Sequence, residues 1–277
     1  TTDVWLPEVW STLMLEVFSD LTVMRPLVTD YSKWSRTGAK GDIIHVPTGL
    51  ANIASRTLTN MTGSITFDAA TEAQTTITVN TFSYTAVKID EASFALNPLP
   101  LLDLYTTELG RSQAEKFDTD IFTELDTTSS TTQGVDNVAI TDDVILGARE
   151  LLDGNNNPYS DRSFVVSAET YNDLFKIDKY VNQLTAASVG NVDGKMGRGY
   201  VGPLYEAKIY VSNNVPAGAA GNKNFYFHKS GMGIAINSDL VVTFRDPHDE
   251  FARAARARMI YGVKLMRSAS VVEVDAR

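Results

Sequence analysis

The sequence predicts an α+β fold, in which helices and strands are mixed without a regular βαβ rhythm. Apolar residues recur at helical spacing over residues 10–21, 98–126 and 141–153, whereas residues 41–90 and most of residues 208–274 are β-prone. A third observation concerns residues 49–80, which are rich in threonine and nearly free of large core-forming side chains. Such a segment favours a strand pair but has little to bury, so we expect a neighbouring copy of the protein to complete it.

The composition fits a folded chain that lacks membrane spans and thiol chemistry. The 277 residues suffice for one large or two modest cores, and no apolar run approaches the length of a membrane span. The acidic start, interrupted by Pro7, does not have the pattern of a secretory signal. The absence of cysteine excludes disulfides, thiolate metal sites and cysteine nucleophiles.

The net charge of −10 disfavours free attraction to nucleic acid or to an anionic membrane surface. On charge alone, an ordinary acidic soluble protein is the simplest interpretation. The wall of a container that must not adhere to its contents would also be acidic, so this charge does not exclude a position next to nucleic acid.

The first predicted helix starts after Pro7, a residue that suits a first helical turn, and ends before Pro26. The helix is too short to be stable alone, so it docks either on its own core or on a neighbour. Its apolar face is formed by Trp10, Leu13, Met14, Val17, Phe18 and Leu21.

Two strands are predicted on either side of the threonine-rich segment. The first covers residues 42–46 and ends at Pro47, and the second covers residues 75–90. Apolar positions in the second strand change parity twice, which predicts a bulge or a passage through different surroundings. The positions are Ile77 and Val79, then Phe82 and Tyr84, then Val87 and Ile89.

A long helix is predicted over residues 98–126, with a length of roughly 40 Å at about 1.5 Å per residue. Its apolar residues recur every four positions, so the apolar stripe winds around the helix and the two halves of the helix should face different partners.

A shorter helix is predicted over residues 141–153, with Thr141 as its N-cap, and another is predicted over residues 168–177. Residues 185–203 are predicted to form a glycine-rich loop. The remaining strands are predicted at 164–166, 208–211, 224–228, 234–236, 241–244, 258–265 and 271–274.

No motif in the sequence indicates catalysis, a cofactor or a metal. The glycines of residues 194–199 lack the order of a phosphate-binding loop. The three histidines, His45, His228 and His248, have no ligand spacing, and no Gly-x-Ser-x-Gly elbow is present. We therefore expect a protein that is not an enzyme.

A basic run near the C-terminus reads as a strand with one charged face. Its members are Arg253, Arg256, Arg258, Lys264 and Arg267. Direct contact with nucleic acid would use such a face, but in an acidic chain ion pairs between subunits are the favoured interpretation.

The order of the elements resembles that of a tailed-bacteriophage major capsid protein with the Hong-Kong-97 fold. The segments that carry the resemblance are VWLPEVWSTLMLEVF, GAKGDIIHVPTGL, TTITVNTFSYTAVKIDE, the helix at 98–126, RSFVVSAETYNDL, GYVGPLYEAKIYVSNNVP, NFYFHKSGMGIAI and ARARMIYGVKLMRSASVVEV. They are similar, in turn, to the N-terminal arm, the extended β-hairpin loop, the long spine helix and the axial and peripheral domains of such proteins. The implied boundaries are 1–40 for the arm, 41–90 for the extended loop and flanking strands, 91–135 for the peripheral domain with the spine helix, 136–236 for the axial domain and 237–277 for the closing strands of the peripheral domain.

This resemblance implies a structural protein that self-assembles, as hexamers and pentamers, into an icosahedral shell around double-stranded DNA. It further implies a separate scaffolding protein, a portal protein, a decoration protein as a further possible partner, no sequence-specific DNA binding, no membrane, and assembly in the host bacterial cytoplasm before residence in the virion. Residues 41–87 contain no lysine, so the covalent loop cross-link of some relatives is not expected.

The expected subunit contacts fall into four groups. Trp5, Trp10 and Phe18 would anchor the arm. The loop contact, residues 50–75, includes Arg56 and Phe67, and the loop at 185–203, with Lys195 and Arg198, would lie near the local symmetry axis. Arg256 and Arg258 would form ion pairs between subunits. The alternatives are another self-assembling phage structural or encapsulating shell protein and an enzyme of unrecognised class.

Overall fold

In a computed structural model, the described residues are 5–34, 43–51, 55, 57, 65, 67–68, 71–90, 101–129, 131–177, 200–245 and 252–277. The helices are α1 (Trp5–Leu21), α2 (Leu101–Thr128), α3 (Asp142–Gly154) and α4 (Ala168–Leu174). The strands are β1 (Thr29–Asp30), β2 (Ile43–Ala51), β3 (Thr71–Thr78), β4 (Thr81–Asp90), β5 (Thr132–Gly134), β6 (Arg162–Val166), β7 (Tyr200–Leu204), β8 (Ala207–Val211), β9 (Asn222–His228), β10 (Met232–Arg245), β11 (Ala252–Leu265) and β12 (Val271–Ala276).

The strands form two sheets and one separate ribbon. The four-stranded sheet has the order β1-β10-β11-β4, and the six-stranded sheet has the order β5-β12-β9-β6-β8-β7. Strands β2 and β3 pair with each other in an antiparallel ribbon. Both sheets mix parallel and antiparallel pairs, and no βαβ repeat orders them. The predicted α+β class is confirmed.

Helix α2 lies between the two sheets and connects their cores. Phe117 packs against Tyr261 of β11 with ring centroids 4.9 Å apart, and Phe122 packs against Phe225 of β9 at 6.0 Å. Further towards its N-terminus the helix contacts α1 at Gly110. These changes of partner along one helix agree with the winding apolar stripe that the sequence predicts.

The crossing of α1 and α2 depends on a residue without a side chain. A Cβ atom at Gly110 would lie 3.0 Å from the carbonyl oxygen of Met14 and 3.3 Å from Cγ1 of Val17. Backbone and side chain of α1 therefore occupy the space that any larger residue would need.

Substituting Gly110→Val is expected to push α1 away from α2 and to lower the free energy of unfolding by about 1–3 kcal/mol. Urea unfolding of the unassembled subunit measures the change. Gly154→Ala is the matched control, because no atom lies within 4 Å of the added Cβ at Gly154. Equal losses in the two variants would contradict close packing at Gly110.

The six-stranded sheet holds the second core. All five residues of β6 are buried, and α3 covers the sheet with Ile145, Ala148 and Leu152. Thr141 occupies the predicted N-cap position of α3, but its hydroxyl forms no capping hydrogen bond. A side-chain cap is present at the next helix, α4, where the hydroxyl of Ser167 accepts the Thr170 N–H at 3.1 Å.

Several predicted boundaries need correction. Within residues 237–277, strand β12 pairs with β9 in the six-stranded sheet, whereas β11 pairs with β10 and β4 in the four-stranded sheet. The strands predicted at 234–236 and 241–244 are one strand, β10, interrupted by register shifts around Ser238. Tyr200–Leu204 is a strand rather than the end of a glycine-rich loop.

Candidate assembly surfaces

The base of the ribbon is fixed to the body of the protein by a small apolar cluster. The buried members are Ile44 and Val46 of β2, Ile77 of β3, Val79 directly after β3, Ala235 and Met266. At Gly262 of β11 the two backbones cross so closely that a Cβ atom would lie 2.2 Å from the carbonyl oxygen of Thr78. The ribbon therefore leaves the body at a defined point.

Beyond this base the described apolar side chains of the ribbon have little cover from their own chain. Phe67 is 89% exposed, and Ile65 is also exposed. A register shift between Pro47 and Gly49 further interrupts the pairing of β2 with β3. The described residues thus agree with a segment that extends from the body and that its own chain does not bury. Arg56 lies outside the described residues.

The N-terminal helix docks on its own chain through its C-terminal half. Phe18 is 1% exposed, and its ring packs edge-on against Phe117 with centroids 6.1 Å apart. The expectation that Phe18 anchors the arm on a neighbour is therefore wrong, because the core of the same chain already covers its ring. Trp5 and Trp10 belong to α1, but their side chains lie outside the described part of the structure.

A buried carboxylate of the spine helix α2 holds the turn that follows α1. The N–H groups of Val23 and Met24 donate to the two oxygens of Asp118 at 2.9 and 3.2 Å. Burial raises the pKa of Asp118 to about 7, although both hydrogen bonds favour the charged form and oppose the shift. The arm is thereby joined to α2 by a polar contact as well as by apolar packing.

This pKa predicts a pH-dependent stability. Since the folded pKa of about 7 lies above the usual value of 3.8, the contribution of Asp118 is greatest below about pH 4 and is lost as the pH rises through 7. The stability of wild type relative to Asp118→Asn should fall between pH 4 and pH 8 by an amount on the order of 3 kcal/mol. Denaturant unfolding at both pH values measures this difference. Asp20→Asn, a change at an exposed position of α1, should follow the wild-type profile; parallel profiles for wild type and Asp118→Asn would contradict the assignment.

The outward side of the four-stranded sheet carries aromatic and basic side chains together. Phe82 and Tyr84 of the edge strand β4 are 55% and 70% exposed, and their ring centroids are 6.3 Å apart. The change of parity in this strand is not accompanied by a bulge, because β4 pairs with β11 without a register shift, and the even-numbered aromatics are exposed in the single chain. Ser83 is buried instead, because its hydroxyl donates to Gln113 of α2 at 2.8 Å.

Arg256 and Arg258 of β11 lie on this same outward side. They are exposed and are paired in register with Ala86 and Tyr84. These two arginines, together with Phe82, Tyr84 and Ala86, line a shallow groove of about 370 Å³. We refer to Phe82, Tyr84, Ala86, Arg256 and Arg258 as the aromatic–arginine face.

Two further members of the predicted basic run are used within the chain, and the side chain of Arg253 lies outside the described part of the structure. Lys264 forms an ion pair with Glu124 of α2 at 2.8 Å, and Arg267 donates to the carbonyl oxygen of Asn155 at 2.9 Å. Lys264 therefore does not share the charged face predicted for it. This internal use leaves Arg256 and Arg258 as the described arginines of the run that point outwards.

Other predicted contact residues are not tested by the structure. Lys195, Arg198 and His248 lie outside the described residues. His228 accepts the N–H of Ser230 and thereby caps a short turn, and burial lowers its pKa. Among the described residues no group of acidic or histidine side chains is arranged to hold a metal.

Comparison with known proteins identifies the family. Residues 71–274 match the family model described as phage capsid protein. Of the solved structures, a chain from Mycobacterium phage Che8 is 22% identical, with a TM-score of 0.69, and 91% of this chain and 90% of that chain are covered. A chain from the capsid structure of the cyanophage P-SCSP1u is 17% identical, with a TM-score of 0.72 and coverage of 92% and 88%.

A third structure extends the likeness beyond these phages. A virus-like particle from Pyrococcus furiosus is 9% identical, with a TM-score of 0.63 and coverage of 97% and 98%. No curated protein matches the sequence. None of the helices in the described ranges is long and apolar enough to cross a membrane.

Because the family model matches well over half of the sequence, the chain belongs to the phage capsid protein family. It is a major capsid protein with the Hong-Kong-97 fold, a structural component of the icosahedral virion shell.

Proposed function

We propose that this capsid protein builds its shell from hexamers and pentamers in which extended segments of each copy lie on the next copy. The exposed residues Ile65 and Phe67, which lie in the sequence between the two strands of a ribbon whose base packs against the body, carry this proposal. Many weak contacts of this kind add up because each subunit is held by several neighbours at once. The protein acts by assembly and catalyses no reaction.

The arm and the loop at 185–203 are proposed as further contacts. Trp5 and Trp10 lie in the first half of α1, ahead of the part that docks on α2. Lys195 and Arg198 would face the local symmetry axis, where copies of one loop meet. Arg56 would belong to the contact of the extended loop.

We further propose that the shell encloses double-stranded DNA without sequence-specific binding and forms in the cytoplasm of the host bacterium. The net charge of −10 supports the proposal that DNA is enclosed without specific binding, since an acidic wall does not adhere to packaged phosphates. A separate scaffolding protein, a portal protein and a decoration protein would be its partners during assembly and in the virion.

Expression of the chain with and without the scaffolding protein of the same phage tests this function. Negative-stain electron microscopy and sedimentation should show closed particles, together with rings of five and six subunits. A species that stays monomeric at every salt and protein concentration, with scaffold present, would contradict the proposal.

A second candidate is an encapsulating shell without a viral genome. The likeness to the virus-like particle from Pyrococcus furiosus, which covers nearly all of both chains, favours it. The contents of particles purified from cells that produce them distinguish the two. Nuclease-protected double-stranded DNA supports the phage shell, whereas a protein cargo supports the alternative.

A further inference from the structure

We propose that a cleft between the turn after α1 and the six-stranded sheet binds a singly charged phosphate group. The cleft has a volume of about 250 Å³ and shares no residue with the aromatic–arginine face. Its polar residues are Asp161, Ser163, Lys208 and Lys229. One chain supplies all of these residues, so the proposal does not depend on the assembly proposed above.

Three neighbouring strands of the sheet bring the polar residues of the cleft together. Ser163 of β6 is paired in register with Lys208 of the parallel strand β8. Lys229 directly follows β9, and its N–H donates to the carbonyl oxygen of Asp161 at 3.1 Å. Strand spacing and rise place the Cα atoms of the two lysines roughly 12 Å apart. Their long side chains therefore reach one anion from two sides.

The turn after α1 supplies an apolar wall of the cleft. Pro26 and Leu27, which belong to the short 3-10 helix Arg25–Leu27, line it. The turn is held in place independently of any ligand, because Asp118 accepts the N–H groups of the two residues before Arg25. A phosphate group in the cleft would thus contact a preformed wall.

The hydroxyl of Ser163 is the clearest sign of a ligand. Ser163 is 5% exposed and lines the cleft, yet its hydroxyl makes no hydrogen bond to any described residue. Buried hydroxyl groups are rarely left without a partner, because the loss of hydration is then not compensated. A phosphate oxygen in the cleft would accept this hydrogen bond.

The charge of the cleft matches a single negative charge. Lys208 and Lys229 are exposed, and no described carboxylate lies within ion-pair distance of either. Asp161 is the carboxylate of the lining, so two lysines and one aspartate give a net charge of +1. A phosphodiester carries one negative charge, whereas a phosphate monoester carries about −1.5 to −2 at pH 7. The cleft therefore favours a diester or the monoanion of free phosphate.

A carboxylate of another protein is the competing ligand, since it also carries one negative charge. Carboxylates are recognised best by the planar fork of arginine, whereas lysine binds phosphate as a point charge. Two ammonium groups and a hydroxyl that approach from different strands suit a tetrahedral anion. These observations favour phosphate.

Two sources supply such a group, namely the backbone of nucleic acid and phosphate in solution. The volume of the cleft corresponds to about eight waters at about 30 Å³ each, which is enough for a phosphate group with part of its hydration shell. The chain as a whole repels phosphates because of its net charge of −10, so attraction to this point is local.

Titration of the unassembled subunit with inorganic phosphate at mildly acidic pH, followed by phosphorus NMR line widths, tests the site. We expect Lys208→Gln/Lys229→Gln to bind phosphate at least about fivefold more weakly than wild type. The matched control Lys33→Gln/Lys88→Gln has the same change of net charge at exposed positions outside the cleft and should bind as wild type does. Equal affinities of wild type and the cleft variant, or no binding by wild type, would overturn the proposal.

The substitution Asp161→Asn provides a test of opposite sign. Asp161 has a φ of 55°, and asparagine also tolerates this left-handed backbone, so the local fold should be retained. Removal of the carboxylate should tighten phosphate binding by roughly threefold. The gain should be largest at alkaline pH, where free phosphate is the dianion. Unchanged or weaker binding by this variant would mean that the assigned charge balance, and with it the site, is wrong.

A short fluorescent DNA duplex, followed by anisotropy, distinguishes the two sources. If the cleft variant binds the duplex more weakly than the Lys33→Gln/Lys88→Gln control, backbone phosphates occupy the cleft. If only the binding of inorganic phosphate is weakened, the ligand is phosphate from solution. An acidic peptide that binds through the two lysines, with no binding of phosphate, would overturn the proposal in favour of a protein partner.

Discussion

Replacing residues 52–70 by a single Asn-Gly turn should give a folded subunit that no longer assembles. Ala51 and Thr71 are paired across the ribbon, and a two-residue Asn-Gly turn closes an antiparallel pair of this kind. The cluster at the ribbon base, with Ile44 and Ile77, remains intact, so the free energy of unfolding should change by no more than about 0.5 kcal/mol. The variant lacks only the segment that another copy is proposed to bind.

Circular dichroism and denaturant unfolding report whether the truncated subunit folds, and electron microscopy with sedimentation reports whether it assembles. Normal particles from the truncated variant would show that the extended loop is not required for the shell.

Substituting Phe117→Ala is expected to cost about 3–5 kcal/mol of the free energy of unfolding. Phe117 is 0% exposed and contacts Phe18 of α1 and Tyr261 of β11. Its removal leaves a cavity where three elements meet, because rigid neighbours on each side can only partly fill it. A loss of this size is a large share of the 5–15 kcal/mol typical of a folded domain.

Guanidinium unfolding of the unassembled subunit measures the loss. Leu104→Ala is the control on the same helix, since Leu104 is exposed and its truncation should change stability by no more than about 0.5 kcal/mol. Similar losses in both variants would mean that α2 is not the shared core of the arm and the four-stranded sheet.

The regular elements were predictable because their signals are local. The repeat of apolar residues that predicts a helix at 98–126 depends on neighbours one turn away, and α2 is observed at Leu101–Thr128. The strands predicted at residues 164–166 and 224–228 are observed for the same reason, and each starts two residues earlier than predicted.

Burial on β4 was not predictable from hydrophobicity. Large aromatic residues are often buried, whereas Phe82 and Tyr84 are exposed in the single chain. The structure buries Ser83 between them, and Gln113 of α2 supplies the hydrogen bond that makes this burial possible. That partner is 30 residues away, and no pattern within the strand indicates it.

The sequence also does not predict which surface each apolar face packs against. Phe18 lies on the predicted apolar face of α1, but that face fits the core of the same chain as well as that of a neighbour. Asp118 has the appearance of an ordinary helix charge, whereas it binds backbone N–H groups 94 and 95 residues away. The face formed by Arg256 and Arg258 was recognised as charged, but its aromatic half was missed.

A cryo-electron microscopy map of assembled particles, with side chains resolved at residue 67, tests most directly whether one copy completes the ribbon of another. The predicted result is Phe67 buried against an adjacent subunit, with the ribbon extended from its base at Thr78. A map in which residues 65–68 pack onto their own chain, with no other subunit in contact, would contradict this account of the shell.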